Sequence, residues 1–152
     1  MSSRAVVDST CLIALERIER LDLVPRLFSQ VFAPPAVVEE FGETPDWLNV
    51  QEVVNRTLSE ALRTQLGAGE SEVIALSTEL TDAVAVLDDK KARRVAHEMR
   101  LKVMGTVGLL LRAKQCDLLP ELKPVLDNLE GVGFRLSDEL LREALRLAKE
   151  ED

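Results

Sequence analysis

Residues 83–89 read AVAVLDD, a short apolar run that ends in two adjacent carboxylates. The segment KKARRVAHEM follows with helical spacing, which predicts a buried strand at residues 83–87, a turn, and a helix at residues 90–100. The chain opens with the same pattern, because AVVD at residues 5–8 precedes another helix-like segment. Ligands of open α/β sheets bind beyond the carboxyl ends of the strands. Two strand ends that carry acids therefore predict a divalent-cation site.

Strand-like and helix-like segments alternate along the chain, which is the pattern of parallel βαβ units. Strands are predicted at residues 5–8, 31–33, 50–54, 83–87, 101–104 and 134–136. Helices are predicted after Asp8 and at residues 25–28, 36–41, 57–66, 70–80, 90–100, 107–115, 120–129 and 138–149. We therefore expect one α/β domain over residues 1–152, a three-layer α/β/α sandwich with a small parallel central sheet.

Two helix termini carry specific expectations. Ser9 or Thr10 is predicted to cap the first helix, and Ser137 is predicted to cap the last one. The last helix has a wide apolar stripe, which predicts that this stripe is fully buried. The stripe consists of Leu140, Leu141, Ala144, Leu145 and Ala148.

The length and composition are those of an ordinary globular domain. The chain has 152 residues, of which 46% are hydrophobic and 30% charged. No apolar run approaches the roughly 18 residues that a membrane span requires, so no membrane partner is expected. Asp8 interrupts a short apolar run near the N-terminus, which argues against a signal peptide. We therefore expect a cytoplasmic protein.

The net charge of −8 argues against a general, charge-driven binder of nucleic acid. It is compatible with a nuclease whose acids are concentrated at a metal site, because bound cations cancel part of that charge. His97 is the only histidine, and its helical position predicts a solvated side chain. Cys11 is predicted to be a core residue, and Cys116 lies far from it in sequence. A zinc site and a Ser-His-Asp triad are therefore not expected.

Each acid near a predicted strand end or helix start has two interpretations. Asp8 either begins an Asx turn or binds a metal ion, and the apolar strand before it favours the metal. Glu40 is either a surface residue or lies toward the buried helix face. Glu70 either stabilises a helix N-terminus, by up to about 1 kcal/mol, or is pressed against the sheet by a glycine turn. One of Asp88 and Asp89 is predicted to cap a helix, which leaves the other as a ligand.

Several acids without a partner histidine suit hydrolysis of phosphodiesters with Mg²⁺ or Mn²⁺. These hard cations take carboxylate oxygens and retain waters. One ion lowers the pKa of the attacking water, and a second ion about 4 Å away stabilises the leaving oxygen. Thr106 either caps a helix or directs its hydroxyl at a metal-bound water. The densest basic segment is expected beside the site, and its residues are either candidates for phosphate contact or an ordinary solvated face: Lys90, Lys91, Arg93, Arg94, Arg100 and Lys102.

Five segments, taken in order, resemble successive signatures of PIN-domain proteins. They are VVDSTCLIAL, PPAVVEEF, GAGESEVIAL, VLDDKKARRVA and GTVGLLLRA, and GFRLSDELLREAL near the end also fits. The chain is similar in particular to a prokaryotic branch related to the VapC toxins. This resemblance implies a PIN-like α/β sandwich and Mg²⁺- or Mn²⁺-dependent cleavage of single-stranded RNA. It also implies a homodimer and, for toxin members, an antitoxin protein as partner.

The resemblance assigns the metal-binding and catalytic positions to acids from four segments. These are Asp8, Glu40, Glu70 and, as alternatives for the fourth position, Asp88 and Asp89. Supporting polar positions fall on Ser9, Thr10 and Thr106. The chain departs from the family pattern in two ways, because the common T-x-D motif is replaced by Leu87-Asp88-Asp89 and because a glutamate stands at position 70.

We therefore predict a metal-dependent endoribonuclease, with two alternatives. The first alternative is a catalytically silent PIN-like module that binds nucleic acid or protein without cleavage. The second is a phosphoacceptor receiver-like domain, which would have a lysine at a late strand end. The chain has Gly105-Thr106 at that point, so this last reading is disfavoured.

Overall fold

The computed structural model describes residues 4–150 and contains a five-stranded sheet. The strands are β1 (Arg4–Val7), β2 (Gln30–Ala33), β3 (Leu48–Val50), β4 (Ala83–Val86) and β5 (Lys102–Met104). All neighbouring strands are parallel, and their order is β3-β2-β1-β4-β5. The first three strands thus run from the centre of the sheet to one edge, and the last two strands are added on the other side of β1. The order reverses between β1 and β4, where open α/β sheets place their ligands.

Nine helices flank this sheet within the described residues. They are α1 (Ser9–Arg17), α2 (Leu23–Leu27), α3 (Pro35–Phe41), α4 (Arg56–Leu62), α5 (Ala68–Glu79), α6 (Lys90–Glu98), α7 (Thr106–Gln115), α8 (Lys123–Gly131) and α9 (Asp138–Leu147). Helix α5 contacts β1, β4 and α3, and helix α7 contacts α2 and α9. The result is the predicted α/β/α sandwich. None of these helices is long and apolar enough to cross a membrane.

The two central strands are buried along their whole apolar length. Ala5, Val6 and Val7 of β1 are fully buried, and β4 is buried throughout. Parallel strands covered on both faces have this continuous apolar composition because neither face meets water. The same core contains Cys11, and the side chain of His97 is exposed, both as predicted. The predicted strands at residues 5–8 and 83–87 are therefore confirmed in place, each ending one residue earlier.

The edge strand β3 lies earlier in the chain than predicted. It begins at Leu48, two residues before the strand predicted at residues 50–54, and it continues only as far as Val50. Beyond it the chain turns away from the sheet, because the backbone amides of Val54 and Asn55 donate to the Glu79 carboxylate at 2.9–3.1 Å. Only Leu48 of this strand is buried, so the apolar pattern carries little information about its limits.

The C-terminal region differs most from prediction. Residues 134–136 form no strand, because the Phe134 amide donates to the carbonyl of Leu129 at 3.1 Å and so closes the end of α8. Ser137 caps α9 as predicted, accepting from the Leu140 amide at 3.1 Å. Full burial of the apolar stripe of α9 is wrong: Ala144 is buried, but Leu140 is 42% exposed.

The predicted domain also includes residues 1–3 and 151–152, which lie outside the described residues. A single domain over residues 1–152 stays a prediction. The described residues 4–150 share one continuous hydrophobic core, which extends from the sheet to α8 and α9.

Candidate functional site

Asp8 lies at the junction of β1 and α1. Its amide donates to the Val86 carbonyl at 3.2 Å, which keeps it beside the end of β4. Its Oδ1 accepts from the Ser9 amide at 2.8 Å, so Asp8 is the N-cap of α1. The prediction of Ser9 or Thr10 as the cap is wrong, because the helix begins directly at Ser9. Asp8 is only 5% exposed.

Ser9 joins this strand end to helix α3. Its buried hydroxyl donates to the carboxylate of Glu40, 31 residues further along the chain. Glu40 is largely exposed, which agrees with the surface interpretation, yet one of its oxygens is held at the start of α1. Thr10 is exposed and lines a cavity of about 240 Å³ with Phe134 and Arg17, on the stripe of α1 that faces residues 132–134.

Helix α5 approaches the same strand end through Gly69. A Cβ at this position would lie 3.3 Å from Asp8 Oδ1 and 3.6 Å from a methyl carbon of Val37. Glu70 follows immediately and is half-buried, and its Oε1 accepts from the Gly67 amide at 3.2 Å. Glu70 therefore stabilises its own helix start, and it also lies on a helix pressed against the sheet, as a metal-binding role requires. The metal-binding role itself stays a prediction.

The two aspartates after β4 have different roles. Asp89 is the N-cap of α6, because its Oδ2 accepts from the Ala92 amide at 2.9 Å. Asp88 instead accepts twice from Thr106, at 2.8 Å from the amide and 2.6 Å from the hydroxyl. The prediction that one of the pair caps the helix is confirmed. The predicted cap role of Thr106 is wrong, because Gly105 is the N-cap of α7 and the Thr106 hydroxyl holds Asp88.

The acids influence one another electrostatically. Burial, together with the weaker effect of the charges of Glu70, Glu40 and Asp88, raises the pKa of Asp8 to about 7, and the hydrogen bond from the Ser9 amide opposes this rise. Burial also raises the pKa of Glu70 against the hydrogen bond from the Gly67 amide, and the charges of Asp89 and Glu40 add to the rise. Carboxylates from four segments therefore share one edge of the sheet, where the surrounding negative charges disfavour ionisation of Asp8 and Glu70.

This set of acids fits a hard divalent cation by its chemistry. All the donors are carboxylate oxygens, which Mg²⁺ and Mn²⁺ prefer, and a cation would relieve their mutual repulsion. Within residues 4–150, however, no three His, Cys, Asp or Glu side chains already form a metal-binding group. The Ser9 hydroxyl donates to one oxygen of Glu40, and the Thr106 hydroxyl donates to one oxygen of Asp88. The side chains of these two acids would therefore have to shift in order to bind the same ion.

The structure divides the predicted basic segment between the two ends of the sheet. Helix α6 begins at the acidic edge and runs back, so Lys90 and Arg93 lie near the acids. Arg100 follows the far end of α6, and Lys102 begins β5 at the amino ends of the strands, where its Nζ forms an ion pair with Asp82 at 3.2 Å. The prediction that all six basic residues lie beside the site is therefore wrong for Arg100 and Lys102.

Two glycines shape the site and were not identified as site residues from the sequence. The lack of a side chain at Gly69 allows the start of α5 to pack closely against Asp8. A Cβ at Gly105 would lie 2.5 Å from Arg93 Nη1 and 3.1 Å from Asp88 Oδ1, so a larger residue here would displace the Arg93 guanidinium. The only sequence signal for them is their place in the segments GAGE and GTVG, at turns that lead into helices.

The parallel sandwich with acids at the carboxyl edge of its central strands is consistent with a PIN-like α/β/α fold. The model of the family DUF3368, described as a PIN domain, matches residues 4–150. The chain therefore belongs to this PIN-domain family, and the resemblance found in the sequence is confirmed. PIN domains are generally nucleases and typically use divalent metals. No curated protein and no solved structure matches the chain significantly.

Proposed function

We propose that this protein is an endoribonuclease of the PIN type that cuts single-stranded RNA with Mg²⁺ or Mn²⁺. The observation that carries the proposal is the buried Asp8 at the end of the central strand, within the electrostatic influence of Glu40, Glu70 and Asp88. A buried carboxylate surrounded by like charges is costly unless a cation or a proton compensates it. A cation bound in a PIN-type metal site would provide this compensation.

Asp8, Glu40, Glu70 and Asp88 would hold the ion. We choose Asp88 over Asp89 because Asp88 influences Asp8 directly, whereas one oxygen of Asp89 is used to cap α6. When bound, the ion supplies an activated attacking water and stabilises the leaving oxygen. Both carboxylate oxygens of Asp88 accept a hydrogen bond from Thr106, but each oxygen retains a second lone pair that can bind a metal ion.

Three neighbours position these acids. The Thr106 hydroxyl and amide fix the orientation of the Asp88 carboxylate, and the Ser9 hydroxyl fixes Glu40. Gly69 brings the start of α5 to Asp8. Hydrogen bonds of this kind orient metal ligands, and their loss typically weakens metal affinity or activity.

The experiment is cleavage of a labelled single-stranded RNA with added Mn²⁺, compared with the same reaction in EDTA. The proposal predicts cleavage only with the metal and its loss in the Asp8→Asn variant. Asparagine retains the N-cap of α1, so this variant removes the charge without removing the cap. Cleavage that persists in purified Asp8→Asn protein would overturn the assignment.

A second candidate is a catalytically silent PIN-like module that binds nucleic acid or protein. It is favoured by one observation, that no three acidic side chains within the described chain already form a metal-binding group. This candidate predicts no metal-dependent turnover and stable co-purification with a partner. The cleavage experiment separates the two, since only the nuclease responds to Mn²⁺.

The biological setting belongs to the same proposal. A cytoplasmic location, a role as the toxin of a toxin-antitoxin pair, an antitoxin partner and a homodimer all stay predictions. Growth arrest on expression, relieved by a co-expressed partner protein, would support the toxin role. Light scattering of the purified chain would show whether its mass is that of one copy or two.

A further inference from the structure

Arg93 has an unusual position among the basic residues of α6. Its side chain is half-buried and lies across the backbone of Gly105, the residue that precedes α7. A Cβ at Gly105 would lie 2.5 Å from Arg93 Nη1 and 3.7 Å from its Cζ. The same Cβ would lie 3.1 Å from Asp88 Oδ1, so the guanidinium and the candidate ligand Asp88 flank one glycine.

The Arg93 guanidinium forms no ion pair with another side chain of the described residues. Both oxygens of Asp88 already accept from Thr106. A guanidinium carries five N–H donors in a planar fork, the geometry that matches two oxygens of a phosphate.

The acidic edge itself requires such a cation if RNA is to approach it. The chain has a net charge of −8, and the candidate site consists of carboxylates. Without bound metal ions, this surface repels a phosphodiester backbone unless a positively charged side chain lies beside it. Among the basic residues proposed from the sequence, Arg93 is the one placed against a candidate ligand by the contacts at Gly105.

We propose that Arg93 binds a backbone phosphate of the RNA next to the candidate metal site, and that Gly105 is glycine to make room for it. This inference deepens the proposed ribonuclease function and rests on it for the identity of the ligand. A Cβ at position 105 would displace the end of a flexible side chain, which costs the fold little but removes the guanidinium from the site.

The test measures RNA binding without cleavage. In an Asp8→Asn background and in EDTA, a fluorescein-labelled oligouridylate is titrated at salt concentrations from about 50 to about 200 mM. For single strands, each phosphate contact contributes about 0.7 to the slope of log affinity against log salt. Arg93→Gln should therefore flatten the slope by about 0.7, whereas Arg93→Lys should retain most of it.

Arg100→Gln is the matched control, because it removes the same charge just beyond the far end of the same helix. It should leave the slope unchanged. Gly105→Ala should reproduce the effect of Arg93→Gln, and the double variant should bind no more weakly than Arg93→Gln alone. Gly131→Ala is the control for glycine replacement, since a Cβ there would meet nothing within 4 Å.

An unchanged slope in Arg93→Gln, an equal change in Arg100→Gln, or no RNA binding by the background protein would each overturn the proposal. Failure of the proposed function looks different. If the slope depends on Arg93 but the wild type never cleaves RNA with Mn²⁺, the phosphate contact stands and the hydrolysis does not. If Mn²⁺-dependent cleavage occurs but the slope is the same with and without Arg93, the hydrolysis stands and the phosphate contact does not.

Discussion

The ends of β1 and β4 carry the same sequence pattern, an apolar strand followed by an aspartate, but they surround that aspartate differently. Asp8 is almost completely buried and accepts from a single neighbouring amide, that of Ser9. Asp88 is half-buried and accepts twice from Thr106. The fold therefore compensates the second carboxylate with hydrogen bonds and leaves the first to be compensated by a cation or a proton.

The largest expected effect comes from removing the charge of the less compensated acid. Asp8→Asn should lower Mn²⁺-dependent cleavage by more than about 100-fold, because a first ligand matters more than the residues that orient it. The measurement is the single-turnover rate with saturating Mn²⁺. Retention of more than a tenth of the wild-type rate, in folded protein, would remove Asp8 from the proposed metal site.

The better-compensated acid should respond to the loss of its hydroxyl partner. Thr106→Val keeps the shape of the side chain but removes the donor to Asp88, and should lower cleavage about 10- to 100-fold. Thr106→Ser retains the hydroxyl and should keep most of the activity. Equal losses in the two variants would indicate that packing at position 106, rather than its hydrogen bond, supports the site.

The pKa of Asp8 predicts how the metal-free protein responds to pH. Its usual value is about 3.9, and burial raises the pKa to about 7 in the folded chain. The folded state therefore binds the proton more tightly, and stability is lost as the pH rises from about 4 through about 7. The loss should amount to roughly 1 to 4 kcal/mol.

Urea unfolding in EDTA at several pH values measures this loss. Asp8→Asn should flatten the profile between pH 4 and 8, because asparagine carries no charge in either state. A wild-type profile that is already flat in this window would mean that Asp8 is solvated or neutralised by other groups.

The smallest effect is expected at Asp89, the neighbour that only caps a helix. Asp89→Ala should destabilise the fold by about 1 kcal/mol through loss of the bond to the Ala92 amide. Cleavage should remain close to that of the wild type. A loss of activity as large as that in Asp88→Asn would show that both aspartates serve the ion and would reverse our choice between them.

The sequence predicts the central part of the fold well for a physical reason. The strands before Asp8 and Asp88 are buried on both faces, so their apolar runs are unbroken and end sharply at the acid. The edge strand β3 buries only Leu48, and the chain beyond its end is held by hydrogen bonds to Glu79, a residue 25 positions away from Val54. Such a long-range contact leaves no local pattern.

The same distinction applies to the candidate site. Parallel strands bring their carboxyl ends to one edge, so the proximity of Asp8 and Asp88 follows from the alternation of strands and helices. The separate roles of Asp88 and Asp89 depend on Thr106, which lies 18 residues beyond Asp88. The position of Arg93 depends on the missing Cβ of Gly105. Periodicity alone indicates only that Arg93 belongs to a helix.

The most direct test of the cation site is a crystal of the wild-type protein soaked in Mn²⁺, with diffraction recorded for anomalous density. The proposed site predicts a peak at about 2.0 to 2.3 Å from a carboxylate oxygen of Asp8, with Asp88 or Glu70 also in contact. The same soak of Asp8→Asn crystals should give no peak there. Wild-type density that is absent beside Asp8, in a protein that cleaves RNA with Mn²⁺, would contradict the proposed site.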